Sequence, residues 1–301
     1  MGPWFKGRVR VCVIFNPTAK GDRARRFLAK LEGLGEGCEL RPTTEAGGGV
    51  ALAEAAVWDG FETIVAAGGD GTINEVVNGM ARAEGLGRAR LGVLPWGSVN
   101  VFAKELEIPE RFEKAWDVVL RGSERLVDLG WMELGEEKVR RCFVQLAGAG
   151  LDGRAVELVD WGAKKRWGDW AYVLAGWRAL GEELPQITVR VAGETVRGQL
   201  ALVGNGRFYG GRHVFFPEAK LDDGILDLVI LEEVRRSRIF KYASAVLRDQ
   251  VTAMEGVRCL RAGEFEMEAE GRVPVEMEGD AVGVLPARGW VERKVLRVLA
   301  G

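Results

Sequence analysis

Apolar runs alternate with amphipathic stretches along the first part of the chain. Runs such as "VCVIF", "ETIVAA" and "LGVLP" are each followed by a loop and then by a stretch with helical periodicity. Continuous apolar runs are typical of parallel strands, because both faces of a parallel sheet are covered. Strands that alternate with helices predict such a sheet with helices on its faces. We therefore predict an N-terminal α/β, Rossmann-like domain.

The pattern changes after about Asp128. Strand-like pieces separated by turn residues follow, among them "RCFVQLAGAG", "QITVRVAGETVRGQLALVGNG", "GILDLVILEEV" and "WVERKVLRVL". This pattern indicates an antiparallel, β-rich, sandwich-like domain, interrupted by one helical stretch at roughly Lys164 to Glu183. We place the domains at residues 1–128 and 129–301. As an open alternative, the last residues of the chain return to the first domain.

The stretch "GGDGTINEVVNGM", residues 68–80, joins one apolar strand to a helix. Its apolar residues have the i, i+3, i+4, i+7 spacing of a buried helical stripe: Ile73, Val76, Val77 and Met80. Thr72 followed by Glu75 has the spacing of a capping box, so Thr72 is the predicted N-cap. Glycine allows positive φ and close approach of other groups, and helix N-termini favour anions. A phosphate site is therefore expected here.

Asp70 stands among these glycines, where it would repel a phosphate. The loop is neither G-x-x-x-x-G-K-[ST] nor G-x-G-x-x-G, since Asn74 occupies the position of the third glycine. One interpretation is a strand-to-helix turn that only needs glycine, with Asp70 as a local hydrogen-bond acceptor. A bridging Mg²⁺ would instead reconcile the acid with the phosphate, so Asp70 favours a Mg-nucleotide.

Composition narrows the classes of protein. The chain has 301 residues, 47% of them hydrophobic, which suits two domains. A net charge of −2 and a pI of about 5.8 argue against a nucleic-acid partner. The four cysteines are scattered, which favours free thiols in a reducing compartment, and the single histidine, His213, excludes a His-rich metal site. No apolar run is long enough to span a bilayer, and no signal-peptide pattern is present.

Several motifs together resemble one family. "GGDGTINEVVNG" is similar to the central motif of the diacylglycerol kinase catalytic domain family, which includes bacterial lipid kinases and sphingosine kinases; NAD kinases share a shorter form. Further similar stretches occur in the family's order: "NPTAKG", "LPWGSVNVFAKELEIP", "LVDLG", "NGRFYGG", "PEAKLDDGILDL" and "MEGDAVGVLP". The resemblance spans nearly the whole chain.

The resemblance implies that ATP and Mg²⁺ bind in a cleft between the two domains. The positions that match the family's nucleotide-binding residues are Asn16, Pro17, Thr18, Ala19, Lys20, Thr44, Gly68, Gly69, Asp70, Gly71, Thr72, Glu75 and Ser98. Lys20, Arg23 and Arg25 are candidates to neutralise phosphate, or belong to a solvated helix face. The implied metal ligands are Asp70, Asp128 and Asp223. Asp128 has the alternative of a structural acid at the domain junction, and Asp223 that of a turn-capping acid.

The implied reaction transfers the γ-phosphoryl group of ATP to a lipid hydroxyl, with Asp70 and a carboxylate base as the catalytic residues. The bacterial lipid kinases typically use the glutamate of a D-G-E motif as base, whereas this chain has Glu278-Gly279-Asp280. We predict Asp280 as base, and Glu278 as the neighbour that could substitute; a β-turn with acids at its tip is the alternative. Val101 also departs from the pattern, since many bacterial diacylglycerol kinases have an aspartate there.

A lipid acceptor implies contact with a membrane surface. Trp161 and Trp167 flank the basic residues Lys164, Lys165 and Arg166 and suit a bilayer interface, whereas Trp170, Leu174 and Trp177 fit a helix face packed on the sheet. The expected partners are a lipid alcohol, a membrane in transient contact and, as an open option, a second copy of the chain. We expect a cytoplasmic, peripherally membrane-associating enzyme. The alternatives are an NAD-kinase-like enzyme and a catalytically weak nucleotide- or lipid-binding protein.

Overall fold

The computed structural model describes residues 10–17, 22–34, 37–158, 184–234 and 239–301. The chain is divided into two compact units. Unit 1 comprises Met1–Val127 and Lys294–Gly301, and unit 2 comprises Asp128–Arg293.

Unit 1 alternates strands with helices. In chain order its elements are β1 (Val11–Phe15), α1 (Asp22–Glu32), β2 (Cys38–Pro42), α2 (Gly48–Trp58), β3 (Thr63–Gly68), α3 (Asp70–Arg82), β4 (Arg90–Pro95), α4 (Val101–Glu105) and α5 (Phe112–Arg121).

The sheet of unit 1 is parallel, with strand order β2-β1-β3-β4. The final strand of the chain, β18 (Ala287–Ala300), adds to it beside β4, where Val298 pairs with Leu91 in parallel. All residues of β1 and β3 are buried, as expected for strands covered on both faces. The predicted α/β architecture is confirmed.

Helices α2 and α3 pack closely against each other on this sheet. A Cβ atom built on Gly79 of α3 would lie only 2.2 Å from the Val50 carbonyl oxygen of α2, so the helices approach each other where Gly79 has no side chain. The predicted apolar stripe of α3 is confirmed, since its four residues are completely buried: Ile73, Val76, Val77 and Met80.

The described part of unit 2 consists mainly of strands. Its elements are β5 (Ser123–Leu134), β6 (Val139–Phe143), β7 (Leu146–Gly150), α6 (Leu151–Leu158), β8 (Ile187–Val191), β9 (Glu194–Gly198), β10 (Leu200–Gly204), β11 (Phe208–Tyr209), β12 (His213–Val214), β13 (Leu226–Leu231), α7 (Ile239–Leu247), β14 (Val257–Ala262), β15 (Glu264–Ala269), β16 (Pro274–Met277) and β17 (Asp280–Val284), with β18 following. Strands β5 and β18 carry the chain across the unit boundary.

Two antiparallel layers enclose the core of unit 2. Six strands form one sheet in the order β14-β13-β10-β7-β16-β17, while β18, β15, β8 and β9 are neighbours in the other, and β5 pairs with β6 and β18. The main apolar cluster draws on both layers, for example Phe143, Ile230 and Phe265. The predicted antiparallel β-rich domain is confirmed.

Some elements differ from the predictions. "RCFVQLAGAG" is two strands rather than one, and α5, α6 and α7 were not predicted. Helix α6 is only eight residues long and follows β7 directly, so it offered no loop or cap signal to separate it from the strand. The helix predicted at Lys164 to Glu183 lies outside the described residues.

Candidate functional site

The loops that follow strands β1 to β4 all lie at the same edge of the parallel sheet of unit 1. Phe15 pairs with Pro42 and with Ala67, and Gly68 pairs with Pro95, so β1 to β4 end side by side. In open α/β sheets ligands bind outside the carboxyl ends of the strands. The predicted nucleotide-binding residues described at this edge are Asn16, Pro17, Thr44, Gly68 to Thr72 and Ser98.

Gly69 and Gly97 bring two of these loops into backbone contact. A Cβ atom on Gly97 would lie 2.5 Å from the Cα atom of Gly69, and one on Gly68 would lie 2.4 Å from Thr72 Oγ1. None of these glycines has a positive φ. Of the two properties of glycine considered for this turn, positive φ is therefore not used, whereas close approach is: neighbouring atoms leave no room for a side chain.

Asn100 and Trp96 hold the loop that follows β4. Asn100 has a φ of 54°, and its amide oxygen accepts the Gly97 N–H at 2.8 Å while its amide nitrogen donates to the Gly97 carbonyl at 2.9 Å. Trp96 stacks on Phe27 of α1 with 4.1 Å between the ring centroids. The sequence-based prediction assigned no role to Asn100, although asparagine is enriched in left-handed backbone.

Asp70 is the first residue of α3, and its side chain reaches the start of α4. Its Oδ1 atom accepts the Phe102 N–H at 3.2 Å. Burial raises the pKa of Asp70, while the amides at the start of α4 and the charge of Lys104 oppose this shift. The carboxylate is thus held in one place between two helix N-termini, whose partial positive charge offsets part of the cost of burying it.

Glu75 binds the N-terminus of α2. Its two carboxylate oxygens accept the N–H groups of Gly47 at 2.8 Å and Gly49 at 2.9 Å, which supplies the acceptors that a helix N-terminus lacks. The prediction that Thr72 is the N-cap of α3 is wrong, because the helix starts at Asp70 and Gly69 is its N-cap. Glu75 therefore does not complete a capping box with Thr72, and its carboxylate is committed to α2.

Replacing Glu75 by alanine should lower the free energy of unfolding of the protein by about 1–2 kcal/mol, because two amides of α2 lose a charged acceptor. Urea unfolding measures this loss, with the exposed Glu62→Ala as control. Under conditions in which the variant is folded, its affinity for ATP should remain close to that of the wild type. An approximately tenfold loss of ATP affinity with unchanged stability would instead show that Glu75 binds the nucleotide.

Part of the predicted site lies outside the described residues. This applies to Thr18, Ala19 and Lys20, and to the side chains of Arg23 and Arg25. The tryptophans proposed for membrane contact fall within residues 159–183 and also lie outside.

Asp128, the first residue of unit 2, is hydrogen-bonded to residues that are distant in the sequence. It is completely buried, and its Oδ2 atom accepts the N–H of Gly224 at 2.6 Å. Its backbone N–H donates to Leu221, and its carbonyl accepts from Asn205 Nδ2 at 3.0 Å. These contacts favour the structural interpretation of Asp128 over that of a metal ligand.

Arg261 occupies the acidic loop that contains Asp223. Its guanidinium donates to Asp223 at 2.8 Å and to Asp227 at 3.1 Å, and it approaches Glu218 at 3.5 Å. The other oxygen of Asp223 accepts the Ile225 N–H. The loop therefore has its own cation, and these residues do not fit a metal ion at Asp223.

The donor chemistry for Mg²⁺ fits at Asp70. In the described part of the chain, no group of three or more carboxylate, thiol or imidazole side chains could hold a metal ion. A nucleotide-borne Mg²⁺ needs only one or two protein carboxylates, because phosphates and water complete its shell. Asp70, fixed at the carboxyl edge of the sheet, meets this requirement.

The acidic turn of unit 2 gives its two carboxylates different surroundings. Glu278 and Gly279 are the two central residues of the β16–β17 hairpin, with φ values of 53° and 83°, and Met277 pairs with Asp280. Glu278 is buried, and its Oε1 atom accepts the N–H groups of residues 144–146 at 2.9, 2.7 and 3.3 Å. Glu278 thus anchors the turn, whereas Asp280 is only partly buried at the start of β17.

Comparison with known proteins decides the family. Residues 10–132 match the family model of the diacylglycerol kinase catalytic domain, and residues 145–300 match that of the YegS C-terminal NAD kinase beta sandwich-like domain. The chain is 32% identical over 288 residues to the diacylglycerol kinase of Bacillus subtilis strain 168, which covers 92% of this chain and 91% of the relative. The chain belongs to the diacylglycerol kinase catalytic domain family.

Two further diacylglycerol kinases are similar to this chain. A diacylglycerol kinase of Staphylococcus aureus strain RF122 is 30% identical over 287 residues, which cover 93% of this chain and 89% of the relative. A crystal structure of a diacylglycerol kinase from Bacillus anthracis strain Sterne superposes with a TM-score of 0.77 over 97% of both chains at 23% identity, which shows the common fold. The family predicted from the motifs is confirmed, and it implies a kinase with ATP as phosphoryl donor.

Within the described ranges, no helix is both long and apolar enough to cross a membrane.

Proposed function

We propose that this protein is an ATP-dependent lipid kinase that transfers the γ-phosphoryl group to the hydroxyl of a lipid alcohol, with diacylglycerol as the first candidate and a sphingoid base as the second. The observation that carries the proposal is Asp70, an acid fixed at the first residue of α3 beside two glycine-lined loops. The names of the relatives support the choice of acceptor, since both are diacylglycerol kinases.

The loops at the sheet edge would bind the nucleotide. The first amides of α3 have no acceptor within the helix, so they suit the phosphate oxygens. The absence of side chains at Gly68 and Gly69 keeps the turn narrow. Asn16, Thr44 and Ser98 are exposed at neighbouring strand ends, where polar groups could contact the rest of the nucleotide.

Asp70 would hold the Mg²⁺ that accompanies the nucleotide. When bound, this ion supplies positive charge that offsets the charge of the phosphate oxygens. Asp280 would accept the proton of the attacking hydroxyl, a role for which a partly exposed carboxylate is suited. Glu278 would serve the reaction indirectly, by anchoring the turn that bears Asp280.

A transfer assay with several acceptors tests the proposal. The purified protein is incubated with γ-labelled ATP and Mg²⁺, and with diacylglycerol, a sphingoid base or another lipid alcohol in mixed micelles, or with NAD. We expect label in the lipid extract, strongest with diacylglycerol. Phosphate on NAD alone would overturn the lipid assignment, and ATP binding without transfer to any acceptor would indicate a catalytically weak binding protein.

A further inference from the structure

Two carboxyl groups that the proposed reaction does not use lie together in unit 2. Asp152 is the second residue of α6, and Glu276 lies on β16 with 1% of its surface exposed. Strand β16 pairs with β7 directly before α6, with Glu276 opposite Gly148. Residues distant in sequence are thereby brought side by side.

Gly148 and Gly153 make room for this pair. A Cβ atom on Gly148 would lie 2.6 Å from Asp152 Oδ2 and 2.9 Å from Glu276 Oε1, so both oxygens lie over the same glycine. A Cβ atom on Gly153 would lie 2.3 Å from the Pro274 carbonyl oxygen, so α6 packs directly on β16. Any larger residue at either position would separate the two carboxyl groups.

The hydrogen bonds around the pair leave one oxygen without a donor. Tyr209 donates its hydroxyl to Asp152 Oδ1 at 2.6 Å, and the Gly279 N–H donates to Glu276 Oε2 at 2.7 Å. Glu276 Oε1 has no donor among the described residues, and its neighbour is the Asp152 carboxyl group. Two ionised carboxylates would repel each other there, whereas one proton between them makes a hydrogen bond.

The charges of the groups around the pair also favour a proton between the two carboxyl groups. Among the residues that the structure describes, the titratable groups that act on it are Tyr209 and the carboxylate of Glu278, and neither supplies positive charge. Burial raises the pKa of both Asp152 and Glu276, and for Glu276 the negative charges of Asp152 and Glu278 raise it further. Retaining a proton is the less costly way to bury two acids without a cation.

We propose that Asp152 and Glu276 share one proton and that this hydrogen-bonded pair positions the turn that carries Asp280. Glu276 acts through the Gly279 N–H, directly before Asp280, while Glu278 anchors the same turn to residues 144–146. The inference rests on the proposed function, since it gives Asp280 the role of base. Glu276 is a positioning residue and does not react.

The shared proton has a defined effect on stability. Because the pKa values are raised in the folded state, the folded protein binds more protons than the unfolded chain above the ordinary carboxyl pKa. The stability contributed by the pair is fully present below the unfolded pKa and is lost as pH rises towards the folded pKa. Loss of the proton would also weaken the hold on Gly279 and therefore on Asp280.

Glu276→Gln tests the proton without relying on activity. The amide keeps an acceptor for Gly279 and donates permanently to Asp152, so it imitates the protonated pair. We expect the difference in melting temperature between this variant and the wild type to grow in favour of the variant, by at least about 3 °C, as the pH is raised from 5 to 9. Asp152→Asn should do the same, and the exposed control Glu266→Gln should not. A pH-independent difference for both amide variants would overturn the shared proton.

The positioning role is tested by turnover in the lipid kinase assay. Glu276→Ala should reduce kcat by about tenfold or more with the KM for ATP little changed, and Glu276→Gln should restore most of it. A folded Glu276→Ala with wild-type kcat would overturn the positioning role. The proposed function fails separately: if Asp280→Asn retained full turnover, Asp280 would not be the base, whereas the pH signature of the pair would persist.

Discussion

Replacing Asp70 by asparagine is expected to reduce phosphoryl transfer on the order of 10³-fold, with little change in melting temperature. Asparagine keeps an oxygen that can accept the Phe102 N–H, so the contact between α3 and α4 survives. What is lost is the negative charge proposed to hold the nucleotide's Mg²⁺. Because burial raises the pKa of Asp70 in the folded protein, removing the charge should cost no stability.

The measurement is the initial rate of labelled phosphate transfer at several Mg²⁺ concentrations, with a thermal melt of the same samples. The exposed Asp117→Asn on α5 is the matched control, and it should behave as wild type in both. Retained turnover in Asp70→Asn would mean that Asp70 only supports α4, and the proposed metal role would be wrong.

The second large effect is expected at Asp280. Asp280→Asn should reduce kcat about 10²- to 10⁴-fold, the usual contribution of a positioned base, while the KM for ATP changes little. Asp280→Glu keeps a carboxylate and should retain much more activity. This side chain also restores the residue type that the family resemblance places at this position.

Glu278 provides the contrast that separates a base from an anchor. Glu278→Ala leaves the buried amides of residues 144–146 without their acceptor and should lower the free energy of unfolding by about 2 kcal/mol. If Glu278→Gln lost activity as severely as Asp280→Asn while remaining as stable as wild type, the roles of the two acids would have to be exchanged.

Predictions that rest on the periodicity of apolar residues were confirmed. The stripe of α3 is an example, because the burial of Ile73 and Met80 follows from helical periodicity alone. The parallel sheet followed from the continuous apolar strands between helices in the same way. The fold class thus followed from periodicity, whereas the family followed from the resemblance of the sequence motifs.

Partners that are distant in sequence could not be derived. The capping box predicted at Thr72 had the right spacing, yet Glu75 binds Gly47 and Gly49, because α2 packs close enough to offer its N-terminus instead. A capping motif specifies which groups are available locally, whereas the competition among acceptors is decided by packing.

By itself the sequence determined the fold class of the two domains, the glycine loop with its acid, and the family. Only the tertiary structure decided which carboxylates are already engaged: Glu75 with α2, Glu278 with residues 144–146, and Asp223 with Arg261. It also placed Asp152 beside Glu276. The physical reason is that backbone periodicity is local, whereas the partner and the charge state of a buried acid depend on residues that folding brings from elsewhere in the chain.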